Sequence, residues 1–212
     1  MARIPLVENK QSLAPEHQGI YDAIVKSRGE VRGCFPALLH VPTIADHTAS
    51  LGGYLRFDGK LEPKVRTLAA LTASRELACI HEWAAGVKNA EKNRISRETL
   101  VAVHQRQPTA GLPPDEAEIV DYVRALMHSH RVTEPAFQSM LARIGVAGIV
   151  ELTATIGYYS MISCTLNAFE LSSSPNPVEL PIWPIIELKR LGRLRCGYGS
   201  RSICFVHHEE HK

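Results

Sequence analysis

Apolar residues recur at helical spacing along most of the chain. In the segment 111–130, the residues at 119, 122, 123, 126 and 127 are apolar and form one stripe, which predicts an amphipathic helix. Two prolines and three acidic residues precede this stripe, and carboxylates are favourable at the positive end of a helix dipole. No stretch keeps the alternation typical of a strand. The pattern therefore predicts an all-α fold.

Start and stop residues delimit the other predicted helices. Pro15 and Pro63 suit first-turn positions, Gly29 follows a helix end, and Ser96 is a good N-cap. Thr43 and Thr133 are also predicted to cap helices. The predicted segments are Ala14–Arg28, a short apolar piece Phe35–His40, Thr43–Phe57, Leu61–Ala78, His81–Asn93, Arg97–Val103 and Glu134–Ile144.

The last predicted helix, opened by Gly145 and running to about Leu171, differs from the others. Apolar residues surround it almost completely. A helix that is apolar on all sides is buried on all sides, so we expect either a central helix or a subunit interface. After about Ser172 the chain becomes rich in turn residues, and its end mixes basic, glycine and histidine residues. We therefore expect a domain over residues 1–181 and a poorly ordered or non-native tail over 182–212.

Composition restricts the function classes. The 212 residues fit one domain, and a net charge of +2 without a basic stripe argues against nucleic acid. No uninterrupted apolar run reaches the roughly 18 residues that span a bilayer, and the N-terminus has no apolar signal core. The five cysteines are scattered, which favours reduced thiols in the cytoplasm. We expect neither a membrane nor a nucleic-acid partner.

Reactive side chains are concentrated between Val65 and Ala90. Cys79, His81, Glu82 and Trp83 lie within five positions. Glu82 occupies the place where a second cysteine would complete a CxxC pair, so this segment lacks the local dithiol that peroxide reduction needs. Burial as an inert core cysteine is the alternative for Cys79.

Several segments resemble the carboxymuconolactone decarboxylase family, which also contains the AhpD-like alkylhydroperoxidases. They are APEHQGIYDAIVKSRGEVRGCFPALLHVP, LGGYLRFDGKLEPKVRTLAALTASREL, HEWAAGVKNAEKNRIS and GIVELTATIGYYSMISCTLNAFEL, in this order over about Ala14–Pro181. The chain is most similar to the branch with Glu-Trp in the active-site helix. The resemblance implies an AhpD-like domain of about six to eight helices with a long buried C-terminal helix. It also implies a homo-oligomer, either a trimer or a hexamer.

The peroxidase motif of this family is only partly present. Cys79 stands at the first cysteine position of the motif, and Glu82 stands at the second. Gly86 replaces the histidine, and Thr67 replaces the upstream glutamate. The resemblance therefore implies the family's site without its complete redox relay.

Glu82 is the first candidate for catalysis. Decarboxylation of an unsaturated lactone acid needs a conjugated carbonyl to accept charge and a group that delivers a proton to carbon, without a cofactor. A buried Glu82 with a raised pKa fits that relay, with His81 and Cys79 as further catalytic candidates. A structural salt bridge with an arginine is the alternative for Glu82, and a packing role is the alternative for His81.

Four residues are candidates for substrate binding. Arg75 or Arg66 would hold a carboxylate, and positions 75, 79, 82 and 86 would share one face of a continuous helix, with Gly86 leaving open space. Trp83 and Tyr159 would line the site, although packing is the ordinary role of buried aromatic residues.

Cofactors and metals find little support in the sequence. No glycine-rich phosphate loop is present. The densest group of metal-ligand residues matches no zinc spacing and lies in the tail; it comprises Cys196, Cys204, His207, His208 and His211. We therefore expect no cofactor and no metal.

Three hypotheses follow from these observations. The first is a carboxy-lyase-like enzyme that performs decarboxylation or proton transfer on a small unsaturated lactone or carboxylic acid. The second is an AhpD-like thiol peroxidase that acts through Cys79. The third is a catalytically degenerate oligomeric scaffold, in which Thr67 and Gly86 mark the lost site.

Overall fold

The computed structural model describes residues 2–171, and every regular element in this range is helical. The helices are α1 (Gln18–Arg28), α2 (Phe35–Leu38), α3 (Pro42–Gly53), α4 (Pro63–Glu76), α5 (Ile80–Ala90), α6 (Arg97–His104), α7 (Pro114–Arg124) and α8 (Glu134–Ala168). π-Helical turns continue α3 at Tyr54–Asp58 and α7 at Ala125–Ser129. The all-α prediction is confirmed. The predicted tail and its cysteine and histidine group lie outside the described residues.

Most helix boundaries follow the signals in the sequence. Proline opens α3, α4 and α7, where its missing N–H costs no helical hydrogen bond. Gly29 ends α1 with φ = 83°, a backbone conformation that glycine adopts without a steric penalty. The Ser96 side chain accepts a hydrogen bond from the Thr99 N–H, as predicted. The two threonine caps are not formed, because Thr43 lies inside α3 and Thr133 makes no side-chain capping bond.

Helix α4 lies at the centre of the core. It packs against α5, α7 and α8, and its buried side chains meet those of the latter two helices. The buried positions include Val65, Leu68, Ala69 and Leu71 on α4, Ile119 and Val123 on α7, and Leu152 and Ile156 on α8. Burial of such side chains supplies about 1.5–3 kcal/mol each. The packing of α4 against its neighbours is therefore a main source of stability of the core.

Helix α8 is broken at Gly145, where φ is 71°, so the predicted start of a new helix at this residue is confirmed. The expectation that the long helix is buried on all sides is wrong for the single chain. Val146 and Val150 are 71% and 62% exposed, because the rest of the domain covers only one side of α8.

Helix α8 also bears on membrane insertion. Among the described residues it is the one helix that is long and apolar enough to cross a bilayer by length and composition, although the sequence has no uninterrupted apolar run of that length. A single such helix is weak evidence, because the core helix of a globular domain has the same properties. Glu151 on α8 accepts hydrogen bonds from the 54–61 segment, as expected for a helix packed within a domain.

Candidate functional site

The connection between α4 and α5 carries the reactive residues. α4 ends at Glu76, and Ala78 adopts a left-handed conformation with φ = 53°. The Cys79 N–H then donates to the Ser74 carbonyl over 2.8 Å, and Cys79 occupies the N-cap position of α5. The expectation of one continuous helical face over positions 75 to 86 is therefore wrong, because the chain turns between Glu76 and Ile80.

The Cys79 thiol is buried beside the first turn of α5. Burial raises the pKa of this thiol, whereas the backbone N–H groups of Glu82 and His81 and the Ser163 hydroxyl act to lower it. The net direction is upward. Ser163 lies on α8, and its buried hydroxyl has no hydrogen-bond partner of normal geometry among residues 2–171. The helix N-terminus thus surrounds Cys79 with donors, but the site keeps it as a neutral thiol.

The half-buried Glu82 carboxyl lies near Cys79. Burial raises the pKa of this carboxyl, and the positive charges of Arg56, His81 and Arg32 oppose the shift without reversing it. Within residues 2–171, no hydrogen bond or salt bridge engages the carboxylate. The structural alternative, a buried salt bridge with an arginine, is therefore absent from the described part of the chain. A carboxyl in this environment is stabilised in its protonated form.

Arg56 reaches the site from the π-helical turn after α3. Its Nε donates to the Tyr159 hydroxyl over 3.2 Å, and its guanidinium carbon lies 5.7 Å from the centroid of that ring. Burial acts to lower the pKa of Arg56, but Tyr159, Tyr158 and Glu82 raise it overall. The predicted residue Tyr159 thus belongs to the site, where it holds a guanidinium that sequence reasoning did not select.

Cys34 and Tyr158 complete the buried surroundings of Glu82. Burial raises the pKa of the Cys34 thiol to about 12, and the charge of Glu82 adds to the shift. Burial also raises the pKa of Tyr158 to about 12. The Tyr158 hydroxyl lies against Gly52, where an added Cβ would approach it to 2.1 Å, so glycine is required there.

His81 lies at the edge of this cluster. A Cβ added to Gly33 would meet its Nε2 at 3.5 Å, and its Nδ1 is buried without a hydrogen-bond partner among the described residues. Its charge acts on Glu82. The structure therefore brings together Cys79, His81 and Glu82, as predicted, with Tyr159.

The other predicted binding residues lie elsewhere. The Arg75 Nε donates to the His104 carbonyl over 2.6 Å, and the buried Trp83 ring packs 5.5 Å from the ring of His104. The charges that act on Arg75 are those of Arg106, Glu76 and Arg124, none of which acts on Glu82. Arg66 is partly buried on α4, and no contact joins its side chain to the Glu82 cluster within the described range.

The two positions at which the peroxidase motif is lost also have structural roles. A Cβ on Gly86 would lie 2.7 Å from the Leu71 side chain, so the expected open space is filled. The Thr67 hydroxyl accepts a hydrogen bond from the Asn93 side chain over 2.7 Å. Both positions therefore contribute to the packing of α4 and α5.

Two other buried carboxylates are held in a different way. Glu116 forms a 2.8 Å salt bridge with Lys64 and accepts hydrogen bonds from the Ser96 N–H and hydroxyl. Glu151 accepts from the Tyr54 hydroxyl and from the N–H groups of Lys60 and Leu61. Burial acts to raise the pKa of each carboxyl, but these donors lower it overall.

No group of three or more histidine, cysteine, aspartate or glutamate residues between positions 2 and 171 is arranged to hold a metal ion. The Glu82 cluster instead combines one carboxyl, two thiols, two tyrosines, one histidine and two arginines. These groups can exchange protons and bind an anion.

Comparisons with known proteins agree with this fold. A peroxidase-related protein from Ralstonia eutropha JMP134, described as an alkylhydroperoxidase AhpD core, superimposes with a TM-score of 0.65 at 17% identity, covering 82% of this chain and 93% of that chain. The debrominase Bmp8 gives a TM-score of 0.61 at 14% identity, with coverages of 82% and 94%. A protein of unknown function from Agrobacterium tumefaciens gives 0.58 at 17% identity, with coverages of 68% and 100%.

The sequence comparisons give a match that covers part of the chain. No curated protein matches the chain significantly. Residues 42–119, from the start of α3 into α7, match the model of the carboxymuconolactone decarboxylase family, and this segment includes Arg56, Cys79 and Glu82. The AhpD-like fold and this match confirm the predicted family, whereas the Glu-Trp branch stays a prediction. Over residues 42–119, within an AhpD-like fold, the chain is similar to the carboxymuconolactone decarboxylase family.

Proposed function

We propose that the protein catalyses cofactor-independent proton transfer, with decarboxylation as the leading case, on a small unsaturated lactone or carboxylic acid. The observation that carries this proposal is the Glu82 carboxyl, which is half-buried, has a raised pKa and is engaged by no salt bridge among the described residues. A carboxyl with a raised pKa is suited to act as a general acid that delivers a proton to carbon.

Glu82 is the proton donor in the proposed reaction. When the substrate loses carbon dioxide, the electron pair of the broken C–C bond moves into the conjugated carbonyl. The Glu82 carboxyl then protonates the resulting carbanion equivalent and becomes a carboxylate, which recovers a proton from water. The charges of Arg56 and His81 act on Glu82 and stabilise the carboxylate that this step leaves behind.

The test is carbon dioxide release from unsaturated lactone acids by the purified full chain. We expect Glu82→Gln to abolish release, because the amide keeps the shape of the protonated acid but cannot transfer its proton. Glu91→Gln is the matched control, since Glu91 is exposed at the end of α5, and it should retain full activity. Undiminished release from the Glu82 variant would refute the proposal.

A second candidate function is thiol peroxidase chemistry at Cys79. The donors of the α5 N-terminus favour a thiolate there, and Cys34 belongs to the same buried cluster. The upward net shift of both thiol pKa values argues against an efficient nucleophile. Hydroperoxide consumption that disappears in Cys79→Ser and persists in Glu82→Gln would establish this candidate instead.

The protein is also proposed to form a homo-oligomer. Large apolar side chains are exposed on α3, on the turn that follows it and on α8; they include Ile44, Leu51, Phe57, Val146 and Val150. Exposed apolar patches of this kind mark association surfaces. Light scattering of the purified chain should give a mass above 23.4 kDa, and a monomer at micromolar concentration would contradict this expectation.

A further inference from the structure

Arg56 has donor groups that the protein does not use. Its Nε is committed to the Tyr159 hydroxyl. Within the described range, no hydrogen bond or salt bridge engages its two terminal nitrogens, and the half-buried side chain lies close enough for its charge to act on Glu82. A guanidinium presents five N–H donors in a planar fork. Four of these donors, on the two terminal nitrogens, are therefore available to a ligand that supplies acceptors.

The other cation close to the Tyr158 hydroxyl, Arg28, has both terminal nitrogens engaged, and its buried Nε has no hydrogen-bond partner among the described residues. The terminal nitrogens of Arg28 donate to the Ser27 hydroxyl and the Ala49 carbonyl, and its guanidinium stacks 4.8 Å from the centroid of Phe35. Arg28 on α1 therefore contacts α3 through the Ala49 carbonyl and the start of α2 through the Phe35 ring. Arg56 differs because only its Nε has a hydrogen-bond partner, the Tyr159 hydroxyl. This bond orients the guanidinium and leaves its two terminal nitrogens available to a ligand.

We propose that Arg56 binds the carboxylate of the substrate through its terminal nitrogens, and that Tyr159 is the positioning residue that aims it. The inference rests on the proposed function in placing substrate beside Glu82, and it narrows the ligand class to small monocarboxylates. A carboxylate matches the guanidinium fork with two parallel hydrogen bonds. This assignment replaces Arg75 and Arg66, which lie away from Glu82.

Binding is coupled to the protonation of Glu82. The charged and titratable groups that face this carboxyl are Arg56, Arg32, His81, Cys34 and Cys79. A carboxylate bound to Arg56 places a second negative charge near Glu82, which favours the neutral acid. The ligand therefore binds together with a proton whenever Glu82 is ionised in the free protein, and affinity falls as pH rises through the pKa of Glu82.

The experiment is isothermal titration calorimetry of the purified full chain with crotonate, a small unsaturated monocarboxylate. Titrations at pH 6 and pH 8, each in two buffers of different ionisation enthalpy, give affinity and proton uptake. We expect at least a tenfold loss of affinity in Arg56→Gln and a smaller loss in Arg56→Lys, which keeps the charge without the fork. Arg66→Gln is the control and should bind like the wild type.

A double-mutant cycle tests the positioning role of Tyr159. Tyr159→Phe should weaken crotonate binding several-fold when Arg56 is present and have no effect in the Arg56→Gln background. An equal loss in both backgrounds would reduce Tyr159 to a packing role and overturn that part of the inference. Circular dichroism verifies folding, and Arg56→Lys decides the question if Arg56→Gln does not fold.

The outcomes separate this inference from the proposed function. Undiminished binding by Arg56→Gln, or no binding of millimolar crotonate by the wild type, overturns the inference. Crotonate binding that depends on Arg56, with substrate turnover that is unchanged in Glu82→Gln, supports the inference and refutes only the proton-relay proposal. Proton uptake that disappears in Glu82→Gln, with binding retained, supports both.

Discussion

Glu82 and Glu116 are carboxyl groups of one small domain, and burial acts to raise the pKa of both, but their surroundings differ. Glu116 has a lysine, a backbone N–H and a serine hydroxyl directed at its oxygens. Glu82 has positive charges nearby and no hydrogen-bond donor in contact among the described residues. The pKa is therefore lowered at Glu116 and raised at Glu82. Burial alone is common to both, so the donors decide the protonation state.

The difference separates a structural carboxylate from a reactive acid. Donors that engage both oxygens of a carboxylate stabilise its ionised form. At Glu116 they also connect α7, which carries the carboxylate, to α4 and to the N-terminus of α6. A carboxyl without donors stores a proton in the interior at a cost in stability. That cost is reasonable where a reaction uses the proton, since perturbed pKa values cluster at functional sites.

The largest predicted effect follows from removing the charge of Glu116. Glu116→Gln should lower the free energy of unfolding at pH 7 by about 3 kcal/mol, because breaking a buried, hydrogen-bonded ion pair leaves Lys64 without its buried partner. Urea unfolding of the variant and the wild type measures the difference. A loss below about 0.5 kcal/mol, the range of neutral surface changes, would show that Glu116 is not a structural carboxylate and would contradict its contrast with Glu82.

The pH dependence of the stability lost in Glu116→Gln tests whether the pKa of Glu116 is lowered in the folded state. The folded-state pKa of Glu116 is depressed, so its contribution is fully present above the ordinary value of 4.5 and is lost as pH falls through the folded-state pKa. The difference between wild type and Glu116→Gln should therefore shrink below pH 4.5. A difference that stays constant to pH 3 would contradict the assignment of a lowered pKa.

Glu151→Gln should have an intermediate effect. The amide loses the charge that one tyrosine hydroxyl and two backbone N–H groups now stabilise, and its NH₂ group faces donors instead of acceptors. We expect the free energy of unfolding to fall by about 1.5 kcal/mol. An unchanged urea midpoint would show that these three donors contribute no net stability.

Glu82→Gln should have the smallest effect on stability, and in the opposite direction. A raised folded-state pKa stabilises the fold below the ordinary value of 4.5, and this contribution is lost as pH rises through the folded-state pKa. At pH 8 the variant avoids the buried charge, so it should be as stable as the wild type or more stable by up to about 1 kcal/mol. A marked loss at pH 8 would place Glu82 among the structural carboxylates.

Local sequence signals were sufficient for most of the fold. Pro63, Ser96, Gly29 and the break at Gly145 each have a local physical cause, and each was predicted correctly. The start of α3 was predicted at a Thr43 cap, whereas Pro42 opens this helix. The exposure of Val146 and Val150 could not be predicted, because the 3.6-residue period identifies which side chains share a face but not which faces the domain covers.

The site was predictable only where its residues are close in sequence. Cys79, His81 and Glu82 belong to one turn, so their grouping was predicted. Arg56 was missed because it arrives from a segment 26 positions earlier, through a π-helical turn that has no sequence signature. The tandem tyrosines on α8 were the available signal, since Tyr159 was singled out and holds this arginine.

The central claim is that the pKa of Glu82 is raised, whereas the pKa values of Glu116 and Glu151 are lowered. Carbon-13 NMR of the glutamate side-chain carboxyl groups, assigned with Glu82→Gln, Glu116→Gln and Glu151→Gln and followed from pH 3 to pH 9, measures it directly. The account predicts that Glu82 titrates above 4.5 and that Glu116 and Glu151 titrate below that value. A Glu82 resonance that titrates with or below the other two would contradict it.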